Sequence, residues 1–394
     1  MTAHQLHLGD LFRSRREPGK AELPVTSVTM YDGLVQRDTL DRKSNGNLTP
    51  EEHLLIRKGD IAYNMMRMWQ GASGPAETEG IVSPAYVVVA PKDRIEPLFA
   101  SYWFKSARMI HLFWAYSYGI TGDRLRLYYK DFARIPVTVP PKPEQESIGK
   151  ILSTTDRAIA GVQKLIVAKR TLKKGLARQL LTGKRRLPGF NRSWGTRRID
   201  TISRIAKGAG ITKEDVLPDG VAAVRYGELY TTYDVQIVEV RSFVSAEAAQ
   251  AAKPIRRGDL LLAGSGEDRI EIGKAAAYLG DEVAYAGGDV IIVSPTDASS
   301  VFLAYLLAGD DARREFYRLA QGESIVHIYM RDVASLELRL PPRGEQDRIA
   351  AILGTADREI VLLEKKVAAL RELKKGLMQK LLSGTGYTTK KGNL

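Results

Sequence analysis

One helix is spelled twice in this chain. Residues 156–183 read "DRAIAGVQKLIVAKRTLKKGLARQLLTG", residues 357–384 read "DREIVLLEKKVAALRELKKGLMQKLLSG", and 14 of the 28 positions are identical at an offset of 201 without a gap. The match reaches back through "PPKPEQESIGKIL" (140–152) and "PPRGEQDRIAAIL" (341–353). A long-period repeat restricts the fold to two copies of one unit. Apart from one step of six between Ile166 and Leu172, in the first copy Ile148, Leu152, Thr155, Ile159, Val162, Ile166, Leu172, Leu176 and Leu180 fall at steps of three and four. In the second, Ile349, Leu353, Ala356, Ile360, Leu363, Val367, Leu370, Leu373, Leu377 and Leu381 do the same. Such a stripe predicts one long helix per copy with a seam that needs a partner.

Pro-Pro suits the start of each helix, and Glu144, Glu146, Glu345 and Asp347 suit its positive dipole end. Gly183 and Gly384 suit the left-handed position after its last turn. Gly175 and Gly376 fall inside the helices, at a cost of about 1 kcal/mol each relative to alanine; close helix–helix approach is the one reason the sequence offers. A helix of about 34 residues is roughly 50 Å long. The seams pair most simply with each other, antiparallel, because a whole domain separates them in the chain.

Composition fits a folded protein, with 44% hydrophobic and 27% charged residues. The absence of cysteine excludes disulfides and thiolate metal sites. No apolar run approaches the ~20 residues a bilayer needs, and the first residues lack a signal-peptide pattern, so the expected location is cytoplasmic with no membrane partner. The net charge is +13 and the pI about 9.6. Residues 140–186 hold 12 Lys+Arg against 3 Asp+Glu, and residues 341–394 hold 11 against 6. The remaining residues balance at −1, with 36 basic and 37 acidic. The positive excess therefore lies in the repeated segments, which points to a polyanion, nucleic acid before membrane. A merely solvated helix surface, or an acidic groove on a protein partner, would also account for it.

Residues 1–139 and 187–340 look different from the helices and from each other. Strands are expected at 85–91, 134–140, 289–295 and 335–341, and helices at 98–114 and 301–320. "IRKGDIAYN" from Ile56 answers "IRRGDLLLA" from Ile255, and "LYYKDFARI" from Leu127 answers "IYMRDVASL" from Ile328. In the first pair a basic Gly-Asp turn feeds a strand. The chain thus reads as domain 1–139, helix 140–186, domain 187–340, helix 341–394.

That order, with "PP..EQ..I..IL" opening a helix that ends "LL[TS]G", resembles the specificity subunit of type I restriction–modification systems over essentially the whole chain. The resemblance implies an α+β chain: two mixed α/β target-recognition domains separated by two long α-helices packed as an antiparallel coiled coil, with a pseudo-twofold internal repeat. It also implies a non-catalytic, sequence-specific subunit that binds double-stranded DNA. One domain would read each half of a bipartite, asymmetric target. Two methyltransferase subunits would assemble on the chain and restriction subunits would join them, so S-adenosylmethionine, ATP and Mg would sit on those partners and no cofactor here. A rod of this length spans at most about 15 base pairs at 3.4 Å each, compatible with two half-sites near one DNA turn, ~10 base pairs apart.

Candidate DNA contacts are Arg13 and Arg15 in "RSRREPGK", Asn64, Arg67 and Gln70 after the first Gly-Asp turn, and Thr121, Arg124, Arg126 and Tyr128. The second domain offers Ser265, Arg269, Gln321, Ser324, His327 and Tyr329. Arginine can bond guanine, and Asn or Gln adenine, in bidentate fashion; surface charge and core packing are the bland alternatives at each position. "LLLAGSGED" (260–268) is similar to a glycine loop that holds S-adenosylmethionine, but a turn after an apolar strand explains Gly264 and Gly266 equally well. Neither NPPY nor DPPY follows it, and there is no phosphate-binding G-x-x-x-x-G-K-[ST]. The five histidines show no metal-ligand spacing. Two other readings stay open: a single-chain restriction or methylation enzyme, and a coiled-coil scaffold without DNA recognition.

Overall fold

The computed structural model describes residues 6–30, 33–39, 48–122 and 124–383. The chain forms two compact units, Met1–Lys164 with Glu364–Leu394, and Leu165–Leu363. Each contains one globular domain, part of the helix that follows it, and part of the other long helix.

The two domains share one topology. In the first, Phe12–Arg15, Tyr86–Pro91, Ile61–Asn64 and Ser73–Pro75 lie side by side in that order. A second sheet is ordered Leu34–Gln36, Val25–Val28, Gly80–Val82, Leu54–Ile56. The other unit repeats both orders with Ser203–Lys207, Val290–Pro295, Leu260–Ala263 and Ala275–Tyr278, then Ser242–Val244, Val221–Val224, Ala284–Ala286 and Lys253–Ile255. It adds one edge strand, Gln236–Ile237, to the first of these. The strand Leu260–Ala263 and the first four residues of the strand Val290–Pro295 are buried on both faces, which is why they read as unbroken apolar runs.

The shared Gly-Asp turn is the same device in both units. Gly59 and Gly258 take φ of +90° and +99°, which glycine adopts without steric cost. Asp60 Oδ2 accepts from the Arg57 amide at 2.9 Å, and Asp259 Oδ2 from the Arg256 amide at 2.7 Å. Asp60 is buried and also receives the Arg15 guanidinium, Nε at 2.6 Å and Nη2 at 3.2 Å.

Each helix expected across 98–114 and 301–320 is two helices. Pro97–Trp103 stops before Ser106, whose hydroxyl caps Ala107–Ala115 by accepting from the Met109 amide. Ser300–Leu307 stops before Gly309, which precedes Asp310–Leu319 with Asp310 and Asp311 in its first turn. Capping groups inside an apolar stretch restart the helix.

The long helices run Lys142–Leu180 (39 residues) and Arg343–Leu382 (40 residues), longer than the sequence stripe suggested and about 60 Å each at 1.5 Å per residue. They pack antiparallel in both units. In the first, Lys374 Nζ reaches both Asp156 oxygens, at 2.6 and 2.8 Å. In the second, Lys173 pairs with Asp357 and Lys169 Nζ lies 2.7 Å from Glu359. Tyr102 donates to Asp156 at 2.7 Å beneath Lys374, and Tyr305 to Asp357 at 2.5 Å beneath Lys173. Burial first, and the carboxylate partner second, push both phenols far above their usual pKa, so each stays a donor. These matched Tyr–Asp–Lys clusters are what the repeated "D-R" and "L-K-K-G-L" residues build.

They also correct the seam. Ile148, Leu152, Ile159, Ile166, Ile349, Leu353, Ile360 and Val367 are buried as the stripe required, but Leu172 and Leu373 are 56% and 53% exposed. Lys173 and Lys374 take the inward positions instead, stems along the seam and ammonium groups on the aspartates. Close approach does not explain Gly175 and Gly376, since a Cβ at either meets nothing within 4 Å. Gly175→Ala with Gly376→Ala is therefore expected to stabilise the isolated chain by about 2 kcal/mol in all, seen as a higher urea midpoint. Gly183 has the left-handed φ of +70°; Gly384 lies outside the described residues.

"PP..EQ" acquires a reason. Gln145, fully buried, accepts from the Glu96 amide (2.8 Å) and donates to the carbonyls of Arg94 (3.0 Å) and Pro140 (2.8 Å). Gln346 accepts from the Ser299 amide and donates to the Pro341 carbonyl, each at 2.9 Å. Each glutamine thus fastens a helix start to the domain before it. Among the described residues no helix is long and apolar enough to cross a membrane.

Candidate nucleic-acid interface

Each domain presents one exposed hairpin at matched places. In the first unit Tyr118 and Arg126 exchange backbone bonds, Tyr118 N–Arg126 O at 3.2 Å and Arg126 N–Tyr118 O at 2.9 Å. In the second, Gln321 and His327 do the same at 2.9 and 2.7 Å. Buried Leu127 and Ile328 follow, and their amides bond the Met65 and Gly264 carbonyls, each at 2.9 Å. Arg126, Tyr128 and Lys130 therefore stand where His327, Tyr329 and Arg331 stand, at the offset of the helix repeat. Apolar tips project from both hairpins, with Ile120 100% and Ile325 58% exposed.

The first domain's hairpin borders an open cleft of about 510 Å³ lined by Ser14, Arg16, Tyr118, Tyr128, Tyr129 and Lys130. Tyr118 and Tyr128 pack ring to ring at 5.7 Å, Lys130 lies over Tyr118, and Arg126 Nη1 leans on the Tyr128 hydroxyl at 3.4 Å. Thr121 and Arg124 are exposed at the hairpin tip, joined by a 3.0 Å backbone bond. Arg67 and Gln70 are exposed on the neighbouring turn, while Asn64 uses its Oδ1 to accept from the Met66 amide.

Arg15 does not belong to this surface. It is buried on Asp60, with Glu17 on its Nη1 at 2.5 Å; the Asp60 bond, opposed by burial, raises its pKa. Arg13 is exposed on the strand, but alternation places it with Arg15, opposite Ser14, which lines the cleft with Arg16. The charged run "RSRREPGK" hides that period of two, and Tyr118 and Lys130 carry no sequence signal beyond their residue types.

In the second domain Ser265, Gln321, His327 and Tyr329 converge. Ser265, in the strand Ser265–Gly266, pairs with His327, and its Oγ lies 2.8 Å from His327 Nδ1. His327 stacks on Tyr329, whose other neighbour is the Arg331 guanidinium. Asp289 stands behind Ser265, held in a left-handed conformation (φ +59°) and 2.9 Å from Lys207. Burial opposes its charge, but hydrogen bonds from Lys207 and Ser265 outweigh it and hold its pKa below the ordinary value. Ser324 is exposed in the hairpin loop. Arg269 donates to the Ala320 carbonyl at 2.6 Å and lies over Tyr317, bracing the hairpin base. Lys207, Asp289 and Arg331 carried no sequence signal beyond their charge.

Gly264 and Gly266 are explained by packing. A Cβ at Gly266 would sit 2.7 Å from the Tyr230 hydroxyl, and one at Gly264 2.9 Å from the Asp289 carbonyl. Among the described residues no cluster of three or more His, Asp or Glu could hold a metal ion.

The sequence matches the Type I restriction modification DNA specificity domain family over residues 10–169 and again over 191–372. It is similar to the type I restriction enzyme MjaVIII specificity subunit of Methanocaldococcus jannaschii, 23% identical over 355 residues that cover 84% of this chain and 80% of that one. Among solved structures, the S subunit of a type I restriction–modification system from M. genitalium aligns with a TM-score of 0.59 at 16% identity, covering 96% of this chain and 95% of that one. The HsdS subunit of Thermoanaerobacter tengcongensis aligns with a TM-score of 0.51 at 16% identity, over 97% and 96%. With two matched segments that together take in most of its length and one topology built twice, the chain belongs to the type I restriction–modification DNA specificity family.

Proposed function

We propose that this chain is the DNA-recognition subunit of a type I restriction–modification complex and reads an asymmetric target in two halves, one per globular domain. A single observation carries the reading: two domains of one topology hold the same exposed hairpin, and at equivalent places the side chains differ, Arg126 against His327 and Lys130 against Arg331. Identical scaffolds with unlike exposed residues suit two unlike sequences, and basic repeated segments suit the phosphate backbone that flanks them.

The chain performs no chemistry in this scheme. Methyl transfer and cleavage belong to methyltransferase and restriction subunits, which hold S-adenosylmethionine, ATP and Mg. The repeated helix surfaces offer two similar docking faces and so suit two methyltransferase copies.

Exchanging residues 1–139 for the corresponding domain of another family member tests this in the assembled methyltransferase complex. Sequencing of methylated bases is expected to show one half of the target replaced and the other half kept. Replacement of both halves, or of neither, would refute the assignment of one half to each domain.

A further inference from the structure

We infer that the residue closing each exposed hairpin, Arg126 in the first domain and His327 in the second, is its base-reading position, and that His327 reads an exocyclic amino group with Nε2 as acceptor. This deepens the functional reading above and rests on it.

Donors and acceptors around Ser265 decide which ring nitrogen of His327 carries the hydrogen. The Ser265 hydroxyl has one hydrogen, lies 2.8 Å from His327 Nδ1, and adjoins Asp289, whose carbonyl accepts from the Gly264 amide at 2.7 Å. A carboxylate can only accept, so the hydrogen goes to Asp289 and the Ser265 oxygen accepts from Nδ1–H. Lys207, 2.9 Å from Asp289, keeps that carboxylate charged. An imidazole with its hydrogen on Nδ1 has its lone pair on Nε2. Tyr329 stacks on the ring at 6.3 Å between centroids and 18° between planes, and Ser265 is 3% exposed, so the orientation is fixed from two sides. In the major groove an acceptor at that point pairs with adenine N6 or cytosine N4.

The first domain lacks this relay. Met66 stands in the place of Ser265 and Ala85 in the place of Asp289, while Arg126, exposed beside Tyr128, brings donors only. Donors in fork geometry suit guanine O6 and N7. One scaffold position thus carries opposite hydrogen-bond polarity in the two domains. That difference gives the unlike halves a specific origin.

The test uses the full chain assembled with its methyltransferase partner, with the methylated motif read by sequencing. His327→Ala is expected to relax one base pair of one half, with about a 5- to 150-fold loss of discrimination there. His327→Arg should move that same position to guanine. Arg126→Gln should change one position in the other half only. Ser265 is a positioning residue: Ser265→Ala should loosen the His327 position, Ser265→Thr should preserve it, and ¹⁵N shifts should show the Nδ1–H tautomer in the parent protein and its loss in Ser265→Ala. Unchanged motifs in both His327→Ala and Arg126→Gln would overturn the inference, as would loss of all methylation by both His327→Ala and His327→Gln. If the parent complex itself showed no sequence preference, the functional reading would fail first.

Discussion

Replacing Asp60 by alanine is expected to destabilise the first unit by about 3–5 kcal/mol, the usual cost of leaving one member of a buried ion pair without its partner. Asp60 is 3% exposed and Arg15 9%, so water cannot replace the carboxylate at Nε and Nη2. Glu17 stays on Nη1, but its side chain is 44% exposed and compensates little. The turn suffers as well, because Asp60 Oδ2 also receives the Arg57 amide. Urea unfolding with a probe in the first unit measures the loss. Arg15→Met combined with Asp60→Leu should recover part of it, since an apolar pair of similar volume often matches a buried salt bridge. If the double variant were as unstable as Asp60→Ala, the turn bond and not the ion pair would be the source.

Gln145→Ala is expected to cost about 2–4 kcal/mol, because the Glu96 amide and the Arg94 and Pro140 carbonyls lose their partner in a buried place. The first turn of the long helix should then exchange its amide hydrogens faster while the later turns keep their protection. Gln346→Ala removes two bonds where Gln145→Ala removes three, and should cost less. Equal protection of the first turn in parent and variant would show that the glutamine does not fasten the helix to the domain.

Both predictions concern motif residues visible in the sequence, yet their roles were not. "I-R-[KR]-G-D" announced a turn, since glycine followed by aspartate has a local meaning. That Asp60 also pairs with Arg15 depends on a strand 45 residues away. "PP..EQ" announced a helix start, but a glutamine's buried partners are set by the domain packed against it. The stripe located both helices and erred at Leu172 and Leu373, because counting threes and fours cannot tell a leucine seam from a lysine seam whose ammonium groups meet aspartates.

By itself the sequence determined the duplication, the two long helices, the basic charge in the repeated segments and the family, because each is carried by local periodicity or by residue identity along the chain. Tertiary structure alone decided which residues share a surface. Arg15, the last residue of its strand, went inward and Arg16, one residue past it, outward, and Ser265, Asp289 and His327 met because hairpin and sheet brought distant residues together. Contacts of that kind depend on how strands pair, and pairing is a property of the folded chain.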